Sequence, residues 1–238
     1  VQMWTSRGCP FSCIFCLWPQ TIYGEHKVRL RGIEDVADEM EYLIHRFKFK
    51  AVYFDDDIFN VDRKHVLGIC REIRKRNITV PWAAMCRADL MDEDLLRSMA
   101  SSGMYAVKYG VESANQDILD FCKKNMDLKK AYQMIKFTME LGIKVHLTFC
   151  LGLPGETRQT VKETFDFIQS IRPHSLQFSF ATPFPGTEYF RYIEDNGLFI
   201  SGSWHEYDGN ARCVIRTEEL SSDDLERIRV DFCNNFNL

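Results

Sequence analysis

Two spacings of apolar residues alternate along the chain. Short runs rich in β-branched and aromatic residues read as strands: VQMWTS (1–6), KAVYFDD (50–56), TVPWAAMC (79–86), YAVKYGV (105–111), KVHLTFCLG (144–152) and HSLQFSFA (174–181). Longer segments with helical periodicity separate them. The first predicted helix carries Ile33, Val36, Met40, Leu43, Ile44 and Phe47 on one face. Its Glu34 and Asp35 come early and its His45 and Arg46 late, an order that suits the helix dipole. Another helix is expected from an Asp127 N-cap to a stop at Gly142. A third runs from Thr157 with Val161, Phe165, Ile168 and Ile171 facing inward. After Gly197 the rhythm breaks. Residues 201–216 read as irregular loop or short strands, and SSDDLERIRVDFCNNF (221–236) reads as a last helix capped by Ser221 or Ser222.

Strands alternating with helices predict an α/β fold on a parallel sheet. Six such units are too few to close an eight-fold barrel. A doubly wound sheet and an open partial TIM-type (βα)6 barrel both fit the pattern, and the open barrel is the expected fold. The expected division is a core over 1–196 and a short C-terminal extension over 197–238.

Composition narrows the function classes. The chain has 238 residues, 45% of them hydrophobic, which suffices for one sizeable core. A net charge of −4 and a pI near 5.9 give no general electrostatic case for nucleic acid as partner. The basic stretches HKVRLR (26–31) and REIRKR (71–76) read as solvated surface. No apolar run is long enough to span a bilayer, and no signal peptide is visible, so a cytoplasmic location is expected. Val1 is not a natural initiator, which leads us to expect a fragment of a longer protein.

The chemistry enters with the cysteines. Cys70, Cys86, Cys122, Cys150, Cys213 and Cys233 are scattered, as small buried residues of a reducing compartment are. Cys9, Cys13 and Cys16 instead crowd into CPFSCIFC (9–16), directly after the first predicted strand. Structural zinc and ferredoxin-type clusters take four protein ligands. Three thiolates can hold three irons of a 4Fe–4S cluster and leave the fourth iron open to an exogenous ligand. The competing reading is zinc, with His26 or a distant cysteine as fourth ligand. In parallel α/β folds, function collects at the carboxyl ends of strands. Polar or unusual residues stand there repeatedly: Asp55–Asp57, Arg87, Glu112 and Ser113, Gly152–Glu156 and Pro183–Thr187.

CxxxCxxC after a first strand resembles the radical S-adenosylmethionine (SAM) superfamily. The resemblance implies a 4Fe–4S cluster on Cys9, Cys13 and Cys16, with SAM chelated at the open iron. It further implies cleavage of SAM to a 5′-deoxyadenosyl radical that abstracts a substrate hydrogen. Carried over by position, Phe15 falls beside the adenine. FDDD (54–57) falls where many members bind the SAM amino group, which implicates Asp56 or Asp57. YGVES (109–113) resembles the ribose motif and implicates Glu112 and Ser113. Lys124 matches a basic position facing the SAM carboxylate, with Lys123 beside it and Arg87 as the other candidate. LGLPGET (151–157) resembles the fifth-strand motif with Gly152 at close approach, and there Glu156 reads as helping to start the helix.

SRGCP, RLRGIEDVADEM, GLPGET and PFPGT resemble the cobalamin-linked branch of that superfamily, and CLWPQ (16–20) resembles its hopanoid-biosynthesis-associated proteins. In that branch a cobalamin domain precedes the core, so the resemblance implies cobalamin held by an upstream domain. The expected activity is C-methylation or carbon-skeleton rearrangement of a small-molecule or lipid-like substrate, with a flavodoxin or ferredoxin as reductant. Two other readings stand beside it: methylthio transfer, and a non-catalytic metal-binding module.

Overall fold

The computed structural model describes every residue except 202, 211, 237 and 238. Six strands form one sheet: β1 (Gln2–Met3), β2 (Val52–Phe54), β3 (Trp82–Cys86), β4 (Met104–Glu112), β5 (Lys144–Leu151) and β6 (Ser175–Phe180). Their order in the sheet is their order in the chain. A doubly wound sheet reverses its order at a switch point, and this one does not. With β1 and β6 left as edges, the fold is the open partial TIM barrel. Parallel registers pair Gln2 with Tyr53, Val52 with Trp82 and Cys86 with Tyr109.

Helices fill the connections: α1 (Ile33–Phe47), α2 (Arg63–Lys75), α3 (Glu93–Ser101), α4 (Gln116–Phe121), α5 (Leu128–Glu140), α6 (Arg158–Ile171), α7 (Glu188–Asp195) and α8 (Ser222–Phe236). Asp62, Asp92, Asn115, Thr157 and Thr187 cap five of them through side-chain oxygens. Among the described residues no helix is long and apolar enough to cross a membrane.

The chain folds into two compact units. The first comprises Val1–Cys9, Lys27–Gly110 and Lys129–His146. Its core is built on Phe54 stacked on Phe59 at 5.0 Å, with Trp82 at 5.4 Å from Phe54 and its indole nitrogen donating to the Ser102 carbonyl at 2.9 Å. The first predicted strand is shorter than its pattern. Ser6–Arg7 leaves the sheet and pairs antiparallel with Arg29–Leu30, because the Thr5 amide is drawn to the Asp56 carboxylate. Phe47 also departs from its pattern. It ends α1 at 56% exposure, packed against Tyr42 and Phe49 rather than in the core.

The second unit comprises Pro10–His26, Val111–Leu128 and Leu147–Leu238. Phe149 stacks on Phe178 at 5.6 Å, and Phe178 on Phe232 of α8 at 4.5 Å. Such pairs add about 0.5–1.5 kcal/mol each beyond their buried area. Val161 and Phe165 of α6 turn toward Ile228 and Phe232 of α8. Residues 201–216 carry a single-turn helix at Trp204–Glu206, and Phe199 bridges to Ile215. Ser221 caps α8, its hydroxyl accepting from the Asp224 amide at 3.1 Å.

Candidate functional site

Most candidate residues stand at the carboxyl end of a sheet strand or in the segment that follows it, and Lys124 comes after α4. In the first unit, the segment after β1 is threaded along the acidic turn after β2. Asp56 is completely buried, and its oxygens accept from the Thr5 amide (3.1 and 3.2 Å), the Thr5 hydroxyl (2.8 Å) and the Ser6 hydroxyl (2.5 Å). Burial raises its pKa above the usual carboxylate value, and these hydrogen bonds pull it back. Asp57 is half-buried and accepts from the Gly8 amide at 2.9 Å. Gly8 has φ +100°, and a Cβ there would lie 1.9 Å from the Lys27 carbonyl oxygen, so only glycine fits. The two aspartates thus hold Thr5, Ser6 and Gly8 in the segment that leads into Cys9, which is itself buried. They are not equivalent: both Asp56 oxygens are engaged inside the fold, whereas Asp57 keeps contact with solvent.

Arg87 follows β3 and is buried. Its guanidinium holds Asp89 in a bidentate pair at 3.1 and 2.8 Å. Its backbone exchanges two hydrogen bonds with the Asn60 side chain.

In the second unit, β4 ends at Glu112 with φ +71°. For a residue with a Cβ, the left-handed region costs roughly 1–2 kcal/mol, and such outliers gather at functional sites. Glu112 accepts from the Lys124 ammonium at 3.0 Å and from the Cys150 thiol at 3.5 Å. Both members of the ion pair are largely buried, with side chains 7% (Lys124) and 14% (Glu112) exposed. Left-handed backbone at Lys123 and Asn125, on either side of Lys124, separates the two adjacent lysines. Lys123 turns out to an exposed pair with Glu188 at 2.6 Å, and Lys124 turns in. Ser113 is buried and accepts from the Asn115 amide at 3.2 Å, in the turn that opens α4.

Gly152, after β5, has φ +89°. Its carbonyl accepts from the buried Tyr189 hydroxyl at 2.7 Å, and its amide donates to Glu156 at 2.6 Å. A Cβ there would lie 2.6 Å from Ile215. Glu156 therefore does more than start a helix. It is buried beneath the turn, and Thr157 caps α6. Burial pushes its carboxyl up to about 8, against the Gly152 hydrogen bond that lowers it, so the protonated form is favoured at neutral pH.

Cys13 and Cys16 are half-buried, as is Phe15. Their loop turns back on itself through the Cys16 amide donating to the Cys13 carbonyl at 3.1 Å. The Ile14 amide donates to the Cys122 carbonyl, and the Tyr189 amide to the Ile14 carbonyl, each at 3.0 Å. Gln20 reaches the same loop with its side-chain amide. Neither Gln20 nor the burial of Glu156 is visible in the sequence, where both look like ordinary surface polarity. His26, the suggested fourth zinc ligand, engages the Phe11 carbonyl through Nδ1 at 2.9 Å.

None of the nine cysteines is in a disulfide. Among the described residues no three His, Cys, Asp or Glu side chains converge on one ion. A four-iron cube takes each thiolate at a separate iron and does not require that convergence. Three closely spaced thiols on one short segment, with no disulfide to consume them, are a donor set that fits such a cluster.

The chain spans half or less of the length of the curated relatives it matches. An uncharacterized methyltransferase of Pyrococcus horikoshii is 29% identical over 224 residues, 94% of this chain and 48% of that protein. The cytidylyl-2-hydroxyethylphosphonate methyltransferase of Streptomyces wedmorensis is 32% identical over 199 residues, 80% of this chain and 36% of that protein. The hopanoid likeness suggested by CLWPQ also has a counterpart: hopanoid C-3 methylase of Methylococcus capsulatus is 26% identical over 186 residues, 77% of this chain and 34% of that protein. Among solved structures, the cobalamin-dependent SAM radical enzyme OxsB, with aqua-cobalamin and SAM bound, superposes with a TM-score of 0.76 at 16% identity. That match covers 92% of this chain and 39% of OxsB, and at that identity it speaks for the fold. The family model described as the radical SAM superfamily matches residues 4–168, from just after β1 through most of α6. The chain belongs to the radical SAM superfamily.

Proposed function

We propose that this chain is the radical-generating core of a cobalamin-dependent C-methyltransferase acting on a small-molecule or lipid-like substrate. The reading is carried by the CxxxCxxC loop, whose three thiolates leave a coordination position for SAM. The methyltransferases among the relatives support the choice of reaction. When bound, a reduced 4Fe–4S cluster supplies an electron and a corrinoid supplies a methyl group. The chain's own residues bind and orient. Cys9, Cys13 and Cys16 hold the irons, and Phe15 lies along the adenine. Glu112 accepts from the ribose hydroxyls, a pairing suited to a carboxylate. Lys124 faces the SAM carboxylate, beside the Glu112 with which it pairs at 3.0 Å. Asp57, the solvent-facing member of its pair, meets the SAM amino group. A flavodoxin or ferredoxin delivers the electron.

Methylthio transfer is the alternative reading. The test is made on the full natural protein, purified without oxygen. It should carry a corrinoid visible in its absorption spectrum and pass an isotope-labelled methyl group from SAM to an acceptor in anaerobic cell extract. A protein that binds no corrinoid would overturn the methyltransferase reading and leave hydrogen abstraction or rearrangement.

A further inference from the structure

We infer that Gln20 is a positioning residue for the cluster loop, acting as a clamp between that loop and helix α7. The inference rests on the reading that Cys9, Cys13 and Cys16 carry a cluster. The side-chain Nε2 of Gln20 donates to three backbone carbonyls of one loop: Cys13 at 3.0 Å, Ile14 at 2.9 Å and Cys16 at 2.9 Å. An amide NH2 has two hydrogens, so at least one is shared. Its Oε1 accepts from the Glu188 amide at 2.7 Å. That amide opens α7 and has no partner within its own helix.

Local structure delivers Gln20 to this place. The turn Trp18–Ile22 is wound wide, with the Tyr23 amide donating to the Trp18 carbonyl at 2.8 Å and Pro19 in its first positions. Peptide planarity then fixes the loop. With every peptide trans, carbonyls 14 and 16 aimed at Gln20 point the amides of Phe15 and Leu17 the opposite way. Two cluster ligands, Cys13 and Cys16, have their own carbonyls in the clamp, so its loss would loosen the backbone that carries their thiolates. Loop rigidity and the hydrogen bonds around cluster sulfurs set how firmly such a cluster is held and its reduction potential.

Gln20→Glu separates the two halves of the clamp. It keeps an oxygen for the Glu188 amide and replaces the donor with an oxygen facing three carbonyls. Gln20→Met keeps length and removes both halves. Gln20 is half-buried, so both chains are expected to fold, and thermal unfolding of the unloaded proteins verifies this. The experiment reconstitutes wild type and both variants with iron and sulfide. It then records the rate of iron loss to a chelator and the reduction potential of the cluster. Both variants should lose iron about ten times faster than wild type and show a displaced potential, with unfolding of the unloaded chain little changed. Variants matching wild type in release rate and potential would overturn the clamp. So would an effect confined to Gln20→Met, which would assign Gln20 to anchoring α7. A wild-type chain that takes up no cluster would overturn the reading beneath, an outcome distinct from either.

Discussion

Replacing Cys13 with alanine is expected to strip the protein of nearly all bound iron and sulfide. A reconstituted wild-type chain should carry about four irons. With one of three thiolates gone, the cube loses a protein-held corner and the remaining two cysteines cannot retain it. Cys13 is half-buried on a loop held by backbone hydrogen bonds, so the shorter side chain leaves the fold standing and the loss is specific. Cys233, far along the chain on α8, serves as control, and its alanine variant should keep full iron content. Iron and acid-labile sulfide assays read the result directly. A Cys13→Ala protein still holding about four irons per chain would defeat the three-thiolate assignment.

The second large effect concerns stability at the end of β4. Lys124→Met removes the cation 3.0 Å from Glu112 in a setting where both side chains are nearly out of water. Removing one partner of a buried pair leaves the other charge uncompensated, at a cost of roughly 3–5 kcal/mol. For a chain of this size that corresponds to a fall in Tm of about 2–4 °C per kcal/mol. Adding Glu112→Gln to Lys124→Met should restore most of the loss, since the stranded charge goes with it. Urea unfolding of the wild type, both single variants and the double variant closes the cycle. A Lys124→Met penalty below about 1 kcal/mol, typical of exposed pairs, would mean that the pair does not function as a buried one.

Much of this arrangement is legible in the sequence, because the features that carry it are periodic or crowded. β-branched and aromatic runs place all six sheet strands, and polar residues at their carboxyl ends include most of the candidate site residues. What the sequence does not decide is which of two adjacent like residues turns inward. Asp56 and Asp57 are chemically identical, and only the path of Thr5–Gly8 assigns Asp56 to the interior. Lys123 and Lys124 are separated by left-handed backbone at Lys123 and Asn125, a conformation that lysine does not advertise. Phe47 has the spacing of a core residue, yet α1 ends there and the ring joins Tyr42 and Phe49 at the surface. Gln20 and Glu156 escape for a different reason. Their partners are backbone groups, which no side-chain pattern records.

The central claim is that three thiolates hold a cluster whose remaining iron takes SAM. Its most direct test is the electron paramagnetic resonance spectrum of the reconstituted, dithionite-reduced wild-type chain, recorded with and without SAM. Coordination of SAM to the cluster predicts a changed line shape when SAM is added. A well-formed 4Fe–4S signal that SAM leaves unaltered would contradict it.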